Sequence, residues 1–201
     1  MTHPVSVVIP TIPSRMEFLL EECLPSVWAA MPTDVHVVGG TSFNGNEKRN
    51  AGARCAIERY LLFVDDDSTI SPNCLALMID AIEISGADFA YAGYRYNVRI
   101  PKNRCSIPSG EIQPGKWNPE RLRKENYIDT TSLIRRESFP GFDPAIRRFQ
   151  DWDLWLTMVR NGCRGVYVPI CLIEKFVIDE GIGLHVSEAE AREAIVRKHG
   201  L

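Results

Sequence analysis

The chain has 201 residues, of which 45% are hydrophobic, so one globular domain can form a core without the help of disulfides. Its 23 basic and 26 acidic residues leave a net charge of -3, which gives no overall attraction to nucleic acid or to an anionic membrane. The sequence shows no secretory signal, no apolar stretch of bilayer-spanning length and no Cys-x-x-Cys pair, so we expect a cytoplasmic protein with reduced thiols.

The first 86 residues alternate between predicted strands and helices. Short apolar or β-branched runs predict buried strands at 5–9, 35–38 and 61–64. Helices are predicted to begin at the capping box Ser14-Arg15-Met16-Glu17, to cover 47–59, and to begin again at Ser71-Pro72 and end at Gly86. Such an order is typical of a parallel sheet with helices on both faces.

The second part of the chain has a less regular pattern. Strands are predicted at 88–96, 127–134 and 165–168, and helices at 151–161 and from Ser187 to about His199. Residues 97–123 are polar, basic and interrupted by four prolines, which predicts a long loop. We find no internal repeat and no boundary between domains.

Three adjacent carboxylates, Asp65, Asp66 and Asp67, follow directly after the predicted strand at 61–64. Open α/β sheets bind ligands at the carboxyl ends of their parallel strands. Neighbouring like charges repel one another unless a cation compensates them, and Mg²⁺ or Mn²⁺ prefers oxygen ligands of this kind. A divalent metal site is one interpretation, and a solvated acidic turn before the next helix is the other.

A second acidic motif, Gln150-Asp151-Trp152-Asp153-Leu154-Trp155, opens a predicted helix. Acidic residues in a first helical turn suit the helix dipole, so one interpretation of Asp151 and Asp153 is a structural cap. Trp152 and Trp155 are three residues apart and share a helix face. They belong either to the core or to the floor of a sugar site.

Together these motifs resemble glycosyltransferase family 2, a group of inverting enzymes with the GT-A fold. The matching segments, in the order of the family, are Val5-Ser6-Val7-Val8-Ile9-Pro10-Thr11, Arg49-Asn50-Ala51-Gly52, Leu62-Phe63-Val64-Asp65-Asp66-Asp67, Phe142-Asp143 and the motif at 150–155. The resemblance implies an α/β GT-A fold, with a mostly parallel, Rossmann-like mixed sheet flanked by helices. It also implies a single domain over 1–201, with a nucleotide-sugar donor half at about 1–95 and an acceptor and base half at about 96–201.

The resemblance also implies roles for individual residues. Asp151 would be the catalytic base. Nucleotide-sugar binding would involve Pro10, Thr11, Arg15, Lys48, Arg49, Asn50, Asp65, Asp66 and Trp152. A divalent Mn²⁺ or Mg²⁺ ion would be held by Asp67 and by His185, a late histidine in a glycine-containing segment. The expected reaction is a direct displacement in which the base deprotonates a hydroxyl and the metal stabilises the leaving diphosphate.

The partners expected from the resemblance are a nucleoside-diphosphate sugar donor and a hydroxyl acceptor, which is a glycan, a lipid-linked sugar or a protein. Neither nucleic acid nor a membrane span is expected. The loop with the basic residues Arg95, Arg99, Lys102, Arg104 and Lys116 is interpreted as solvated, or alternatively as a lid over the diphosphate or a contact for an acidic acceptor.

Two departures from the family pattern leave alternatives open. The family's usual acidic pair after the second strand is replaced by Val38-Gly39-Gly40-Thr41-Ser42, and its Glu-Asp by Gln150-Asp151. An inactive nucleotide-sugar-binding scaffold would tolerate both changes. A nucleotidyltransferase ranks lower, because such enzymes have a glycine-rich phosphate loop after the first strand and residues 10–15 contain no glycine.

Overall fold

A mixed, eight-stranded β-sheet forms the centre of the computed structural model, which describes residues 2–99, 106–177 and 186–201. The strands are β1 (His3–Pro10), β2 (Pro32–Val38), β3 (Tyr60–Phe63), β4 (Ser68–Ile70), β5 (Phe89–Arg99), β6 (Ser106–Ile112), β7 (Leu133–Arg135) and β8 (Gly165–Val177). Their order is β2-β1-β3-β7-β5-β8-β4, and β6 pairs with β5.

Helices cover the sheet. They are α1 (Met16–Phe18), a π-helical turn (Leu19–Cys23), α2 (Leu24–Ala29), α3 (Gly45–Cys55), α4 (Cys74–Ser85), α5 (Pro119–Leu122), α6 (Gln150–Arg160) and α7 (Glu188–His199), with 3-10 turns at Pro13–Arg15 and Arg136–Ser138. The predicted alternation of strand and helix over the first 86 residues is confirmed, except that the short strand β4, which was not predicted, lies between β3 and α4. No helix in the described parts of the chain is long and apolar enough to cross a membrane.

The direction of the strands changes across the sheet. β1 lies between β2 and β3 and is parallel to both. β7 is antiparallel to β3 and β5, β4 is antiparallel to β8, and β6 is antiparallel to β5. Only β5 and β8 form a further parallel pair among the described strands. Apart from the β5–β8 pair, the parallel part of the sheet therefore consists of the three strands β2, β1 and β3.

β1 aligns the two strand ends that matter for function. Val8 pairs with Phe63, and the amide of Val64 donates to the carbonyl of Val8 at 3.0 Å. The amide of Thr11 in turn donates to the carbonyl of Val38 at 3.0 Å. The first strand therefore ends beside the segment that carries the three adjacent aspartates, at the ligand-binding edge of the sheet.

Hydrophobic cores lie on both faces of the sheet. Val7 and Ile9 belong to one core and Val8 to the other, because successive side chains of a strand point to opposite faces. In the second core the ring of Trp155 stacks on Phe89, with centroids 4.7 Å apart. Burial on both faces explains why β1 is a continuous apolar run rather than an alternating one.

Three sequence predictions for the second part of the chain were wrong in extent. The loop predicted over 97–123 contains the end of β5, all of β6 and α5, since β5 and β6 pair as an antiparallel hairpin. The strand predicted at 127–134 begins only at Leu133, because Asp129 accepts a hydrogen bond from the amide of Thr131 and forms a local turn. β8 continues past the predicted end at 168 to Val177, paired with β5.

The predicted helix starts agree only in part with the structure. The capping box expected at Ser14 is absent, because Pro13–Arg15 forms a 3-10 turn without a side-chain cap. A capping box is found instead at Asn44, whose side chain accepts from the amide of Glu47 at 3.0 Å while the Glu47 carboxylate accepts from the amide of Asn44 at 2.7 Å. Helix α3 therefore begins at Gly45, two residues earlier than predicted.

Candidate active site

A cleft of about 870 Å³ opens at the edge of the sheet where β1 and β3 end. Its walls are the ends of these strands, the start of α3 and the segment that leads into α6. Its polar and charged residues include Thr11, Arg15, Lys48, Arg49, Asp65, Asp66, Asp67, Arg147, Arg148, Gln150 and Asp151. The two acidic motifs of the sequence therefore share one cleft.

Arginines compensate the charge of the three adjacent aspartates. Nη1 of Arg15 lies 2.9 Å from Oδ1 of Asp66 and 2.7 Å from Oδ2 of Asp67. Nη2 of Arg49 donates to Oδ1 of Asp65 at 2.5 Å. The repulsion expected between neighbouring carboxylates is thus met by cations of the protein itself.

The aspartates differ in their affinity for a proton. Burial alone would raise the pKa of Asp65, but the positive charges of Arg49 and Lys175 outweigh it and hold the pKa at about 2. The pKa of Asp67 lies above its ordinary value, first because the side chain is buried and then because Asp65 is negatively charged. Asp67 is therefore the carboxylate that would gain most from a further positive charge.

Lys48 and Arg49 reach the cleft from the first turns of α3, although both are almost fully buried. Nζ of Lys48 donates to the carbonyl of Thr11 at 2.8 Å, and burial lowers the pKa of this lysine. The guanidinium of Arg49 lies 5.4 Å from the centre of the Phe142 ring. Its buried Nε has no hydrogen-bond partner within the described residues. Cations held in this way suit an anionic ligand.

Asp151 enters the cleft from the first turn of α6. Its Oδ1 accepts from the amide of Trp152 at 2.9 Å and from Nδ2 of Asn126 at 3.0 Å. Burial, and next the negative charge of Asp129, raises the pKa of Asp151. The preceding Phe149 has a left-handed backbone with φ 61°, so the turn into α6 is strained. A raised pKa beside a strained turn is typical of a functional carboxylate.

Most of the residues predicted to form the site line this cleft: Pro10, Thr11, Arg15, Lys48, Arg49, Asp65, Asp66, Asp67 and Asp151. They come from the end of β1 and the 3-10 turn that follows it, from α3, from the segment after β3 and from α6. The predicted metal ligand His185, together with Lys102 and Arg104 of the basic segment, lies outside the described residues.

Two predicted binding residues have structural contacts instead. Asn50 joins α3 to a later segment, because its amide donates to the carbonyl of Phe142 at 2.7 Å and accepts from the Phe142 amide at 2.8 Å. Trp152 is only 1% exposed, and its Nε1 donates to the carbonyl of Leu122 at 2.6 Å. The structure therefore places Trp152 in the core, which is one of its two sequence interpretations.

Three residues near the site were not found from the sequence: Asn126, Asp129 and Lys175. Nζ of Lys175 lies 2.7 Å from Oδ2 of Asp129 and 3.6 Å from Oδ2 of Asp65. One signal was present, since Lys175 and its neighbour Glu174 are the charged residues of the mostly apolar strand β8. The partners of Lys175 lie far away along the chain, and the sequence did not identify them.

Comparison with known proteins decides the family. The family model described as Glycosyl transferase family 2 matches residues 30–141, more than half of the chain. The chain belongs to glycosyltransferase family 2. This family member is similar to an uncharacterized glycosyltransferase of Haemophilus influenzae, with 26% identity over 127 residues that cover 60% of the chain and 42% of the relative.

Solved structures of TarS from S. aureus share the fold of this family 2 member. The complex of TarS residues 1–349 with UDP-GlcNAc superposes with a TM-score of 0.72 and 14% identity, over 98% of this chain and 66% of that chain. The complex with UDP gives a TM-score of 0.69 and 15% identity, over 98% and 64%. The similarity confirms the α/β fold of GT-A type, and the chain spans less than two thirds of each of these relatives.

The described residues do not by themselves form a metal site. No three His, Cys, Asp or Glu side chains among them form a complete set of metal ligands. Asp67 nevertheless offers hard carboxylate oxygens, and burial together with the negative charge of Asp65 raises its pKa. In this family 2 member, Asp67 could therefore hold a divalent cation only together with further oxygen ligands, such as those of a diphosphate.

Proposed function

We propose that this family 2 member transfers a sugar from a nucleoside-diphosphate sugar to an acceptor hydroxyl, with inversion and with the help of a divalent metal. One observation carries the proposal: the aspartates 65–67, the arginines Arg15 and Arg49, and Asp151 line the same cleft. A diphosphate needs cations and an acceptor hydroxyl needs a base, and this cleft offers both. Its volume of about 870 Å³ suits a ligand of that size.

The donor would bind with its phosphates at the start of α3. This helix has 11 residues, and its N-terminus and the side chains of Lys48 and Arg49 face the same cleft. Backbone amides at a helix N-terminus favour a phosphate, and the two cations add charge-assisted hydrogen bonds. The complexes of TarS with UDP-GlcNAc and with UDP support this class of donor.

Asp151 would remove the proton of the acceptor hydroxyl as this oxygen attacks the sugar carbon. A general base works best when its pKa is near the operating pH, and burial and Asp129 raise the pKa of Asp151 in that direction. A single displacement on one face of the sugar inverts its anomeric carbon. The hydrogen bond from Nδ2 of Asn126 to Oδ1 of Asp151 would orient this carboxylate towards the acceptor hydroxyl.

Asp67 would ligate the metal, which when bound acts as a Lewis acid for the departing diphosphate. Arg15 forms ion pairs with Asp66 and Asp67. When Asp67 binds the metal instead, the guanidinium of Arg15 would be free to contact the phosphate oxygens of the donor. Asp65 is held by Arg49 and is the carboxylate assigned to the ribose or the sugar of the donor.

The first test is a thermal-shift screen of UDP, GDP, ADP and dTDP and their sugars, with and without Mn²⁺. A ligand at 100 times its dissociation constant should add about 2.7 kcal/mol to the free energy of unfolding. Asp67→Asn should abolish the metal-dependent part of the shift. Asp80→Asn is the matched control, since Asp80 is exposed on α4 and outside the cleft.

Release of nucleoside diphosphate from the stabilising donor, and NMR of the product anomer, complete the test. Metal-dependent release with an inverted product supports the proposal. Binding without release, with a broad set of hydroxyl acceptors, would instead favour the inactive scaffold. A wild-type protein that no nucleotide stabilises under any metal would overturn the proposed donor site.

A further inference from the structure

A chain of polar contacts connects Asp65 of the donor motif with Asp151. Nζ of Lys175 lies 3.6 Å from Oδ2 of Asp65 and 2.7 Å from Oδ2 of Asp129. Three residues before Asp129, Nδ2 of Asn126 donates to Oδ1 of Asp151 at 3.0 Å. The short segment 126–129 therefore contacts the base with one end and, through Lys175, the donor motif with the other.

The ion pair between Asp129 and Lys175 is buried. The side chain of Asp129 is 9% exposed and that of Lys175 is 15% exposed. Removing two charges from water costs free energy that their attraction repays only in part, so apolar residues often stabilise a fold as well as a buried ion pair does. Stability alone is therefore a poor explanation of this pair, and its position between the two acidic motifs is a better one.

The contacts of Asp129 fix it in place. Its Oδ1 accepts from the amide of Thr131 at 2.8 Å, and its Oδ2 contacts Lys175. Lys175 is held by β8, whose pairing with β5 sets Lys175 opposite Tyr96. Both charges therefore belong to rigid parts of the fold, as positioning groups require.

We propose that Asp129 and Lys175 are a positioning pair that, through the segment 126–129, holds Asp151 in register with Asp65. The inference rests on the proposed function, because it concerns the base of that reaction. It adds two residues, from a turn and from β8, that touch neither reacting atom directly.

The charges around Asp151 act in opposite directions. Burial is the largest cause of its raised pKa, the negative charge of Asp129 is the next, and the positive charge of Lys175 lowers the pKa. From β5, Tyr94 and Tyr96 also face this group, and burial raises the pKa of both phenols, so they stay neutral near pH 7. Asp129 and Lys175 therefore have opposite effects on the pKa of Asp151, and substituting each of them distinguishes the two effects.

The test is the pH profile of kcat/KM for transfer, measured on Asp129→Asn, Lys175→Met and the double variant. The acidic limb of this profile reports the base of the free enzyme. Asp129→Asn should move the limb to lower pH, because it removes a negative charge near Asp151. Lys175→Met should move it to higher pH, because it removes a positive one. Lys124→Met, an exposed lysine outside the cleft, is the matched control and should leave the limb in place.

The rates give a second readout. Lys175→Met should lower kcat by about tenfold or more and Lys175→Arg should restore part of it, since Arg keeps the charge between the two carboxylates. The double variant buries no unpaired charge, so it stays folded and measurable if a single variant does not. Thermal midpoints of all variants show which of them fold.

The outcomes separate the inference from the proposed function. If the wild type transfers sugar and the limbs of both single variants stay in place or move in the same direction, the pair is merely structural and the inference is overturned alone. If the wild type releases no nucleoside diphosphate from any donor, the proposed function fails and the inference fails with it. Opposite shifts with the predicted signs support both.

Discussion

The guanidinium of Arg15 lies 2.7 Å from the Oδ2 of Asp67, where it occupies one side of the carboxylate that is assigned to the metal. If Asp67 ligates the metal as proposed, Arg15 and the divalent cation would therefore compete for the same oxygen. Repulsion between the two cations would weaken metal binding until a diphosphate brings enough negative charge for both. The arrangement would make metal and donor bind together rather than independently.

Substitution of Arg15 tests this competition. Arg15→Gln should tighten the binding of Mn²⁺ alone by about tenfold, because it removes a positive charge worth roughly 1.4 kcal/mol at Asp67. The same change should weaken the binding of a nucleoside diphosphate, since the phosphates lose a charged donor. Titration calorimetry without and with nucleotide measures both effects. Arg59→Gln, on an arginine whose side chain is 58% exposed, is the control, and equal Mn²⁺ affinity in all three proteins would contradict the competition.

Asp151 is predicted to be necessary for activity, although its buried charge lowers the stability of the fold. Asp151→Asn should lower kcat by about 10²–10⁴-fold, the usual contribution of a general base. It should not lower the thermal midpoint at pH 7, because an amide oxygen still accepts from Asn126 and Trp152 while no charge is buried. A variant that loses kcat and the thermal midpoint together would show that Asp151 is a structural cap.

The pH dependence of stability follows from the raised pKa of Asp151. A carboxyl whose pKa is higher in the folded than in the unfolded state stabilises the fold fully below its unfolded pKa of about 4. That contribution is lost as the pH rises through the folded pKa. The stability of wild type relative to Asp151→Asn should therefore fall as the pH rises above about 4, which denaturant titrations at several pH values can measure.

The parts predicted well from the sequence were local in origin. The strand that became β3 is a short apolar run, and the aspartates after it had to lie at the edge of the sheet once the strand was buried. The position of Asp151 in a first helical turn also follows from neighbouring residues. By contrast, Trp152 and Trp155 gave the same pattern for a core and for a sugar site, and only their contacts distinguished the two.

The parts that were missed depend on pairing across the chain. Pro108 and the polar residues around it predict a loop, yet β6 forms because β5 offers it an antiparallel edge. Asp129 and Lys175 are neighbours only because β8 runs parallel to β5 and continues past Pro169. Propensity describes the residue and its neighbours, whereas such pairs depend on the register of strands that are distant in sequence.

Gly52 is predicted to determine how closely α3 approaches β1. A Cβ atom added at Gly52 would lie 2.4 Å from Cγ1 of Val8 and 3.3 Å from Cγ2 of Val38. Gly52→Ala should therefore destabilise the fold by about 1–3 kcal/mol through overpacking, more than the roughly 1 kcal/mol that alanine gains in a helix. It should also weaken donor binding, because α3 carries Lys48 and Arg49.

A double-mutant cycle with Val8→Ala shows whether the close contact is the cause. Val8→Ala removes the atom that an alanine at position 52 would meet at 2.4 Å. The double variant should therefore be more stable than the sum of the two single effects predicts, by about 0.5–3 kcal/mol for residues in contact. If the two changes in the free energy of unfolding, measured with urea, are additive, the contact with Val8 is not the cause of the destabilisation by Gly52→Ala.

The last turn of α7 is predicted to hold the helix that carries Asp151. Nζ of Lys198 lies 2.7 Å from Oδ2 of Asp143 and 2.8 Å from Oδ1 of Asp153, whose side chain is 3% exposed. Nε2 of His199 lies 2.7 Å from the same Asp153. Lys198→Met should lower the free energy of unfolding by about 1–3 kcal/mol, because it leaves Asp153 in α6 with less compensation for its burial.

The neighbouring Arg197 provides a matched control for Lys198→Met. Arg197 pairs with Glu193 on the surface, where the two side chains are 77% and 69% exposed, so Arg197→Met should change stability by less than about 0.5 kcal/mol. The hydrogen bond from Lys198 also lowers the pKa of Asp143, so its stabilisation is present above the unfolded pKa of about 4 and is lost as the pH falls. The difference between wild type and Lys198→Met should accordingly shrink from pH 7 to pH 3, and a difference that grows on acidification would contradict the assignment.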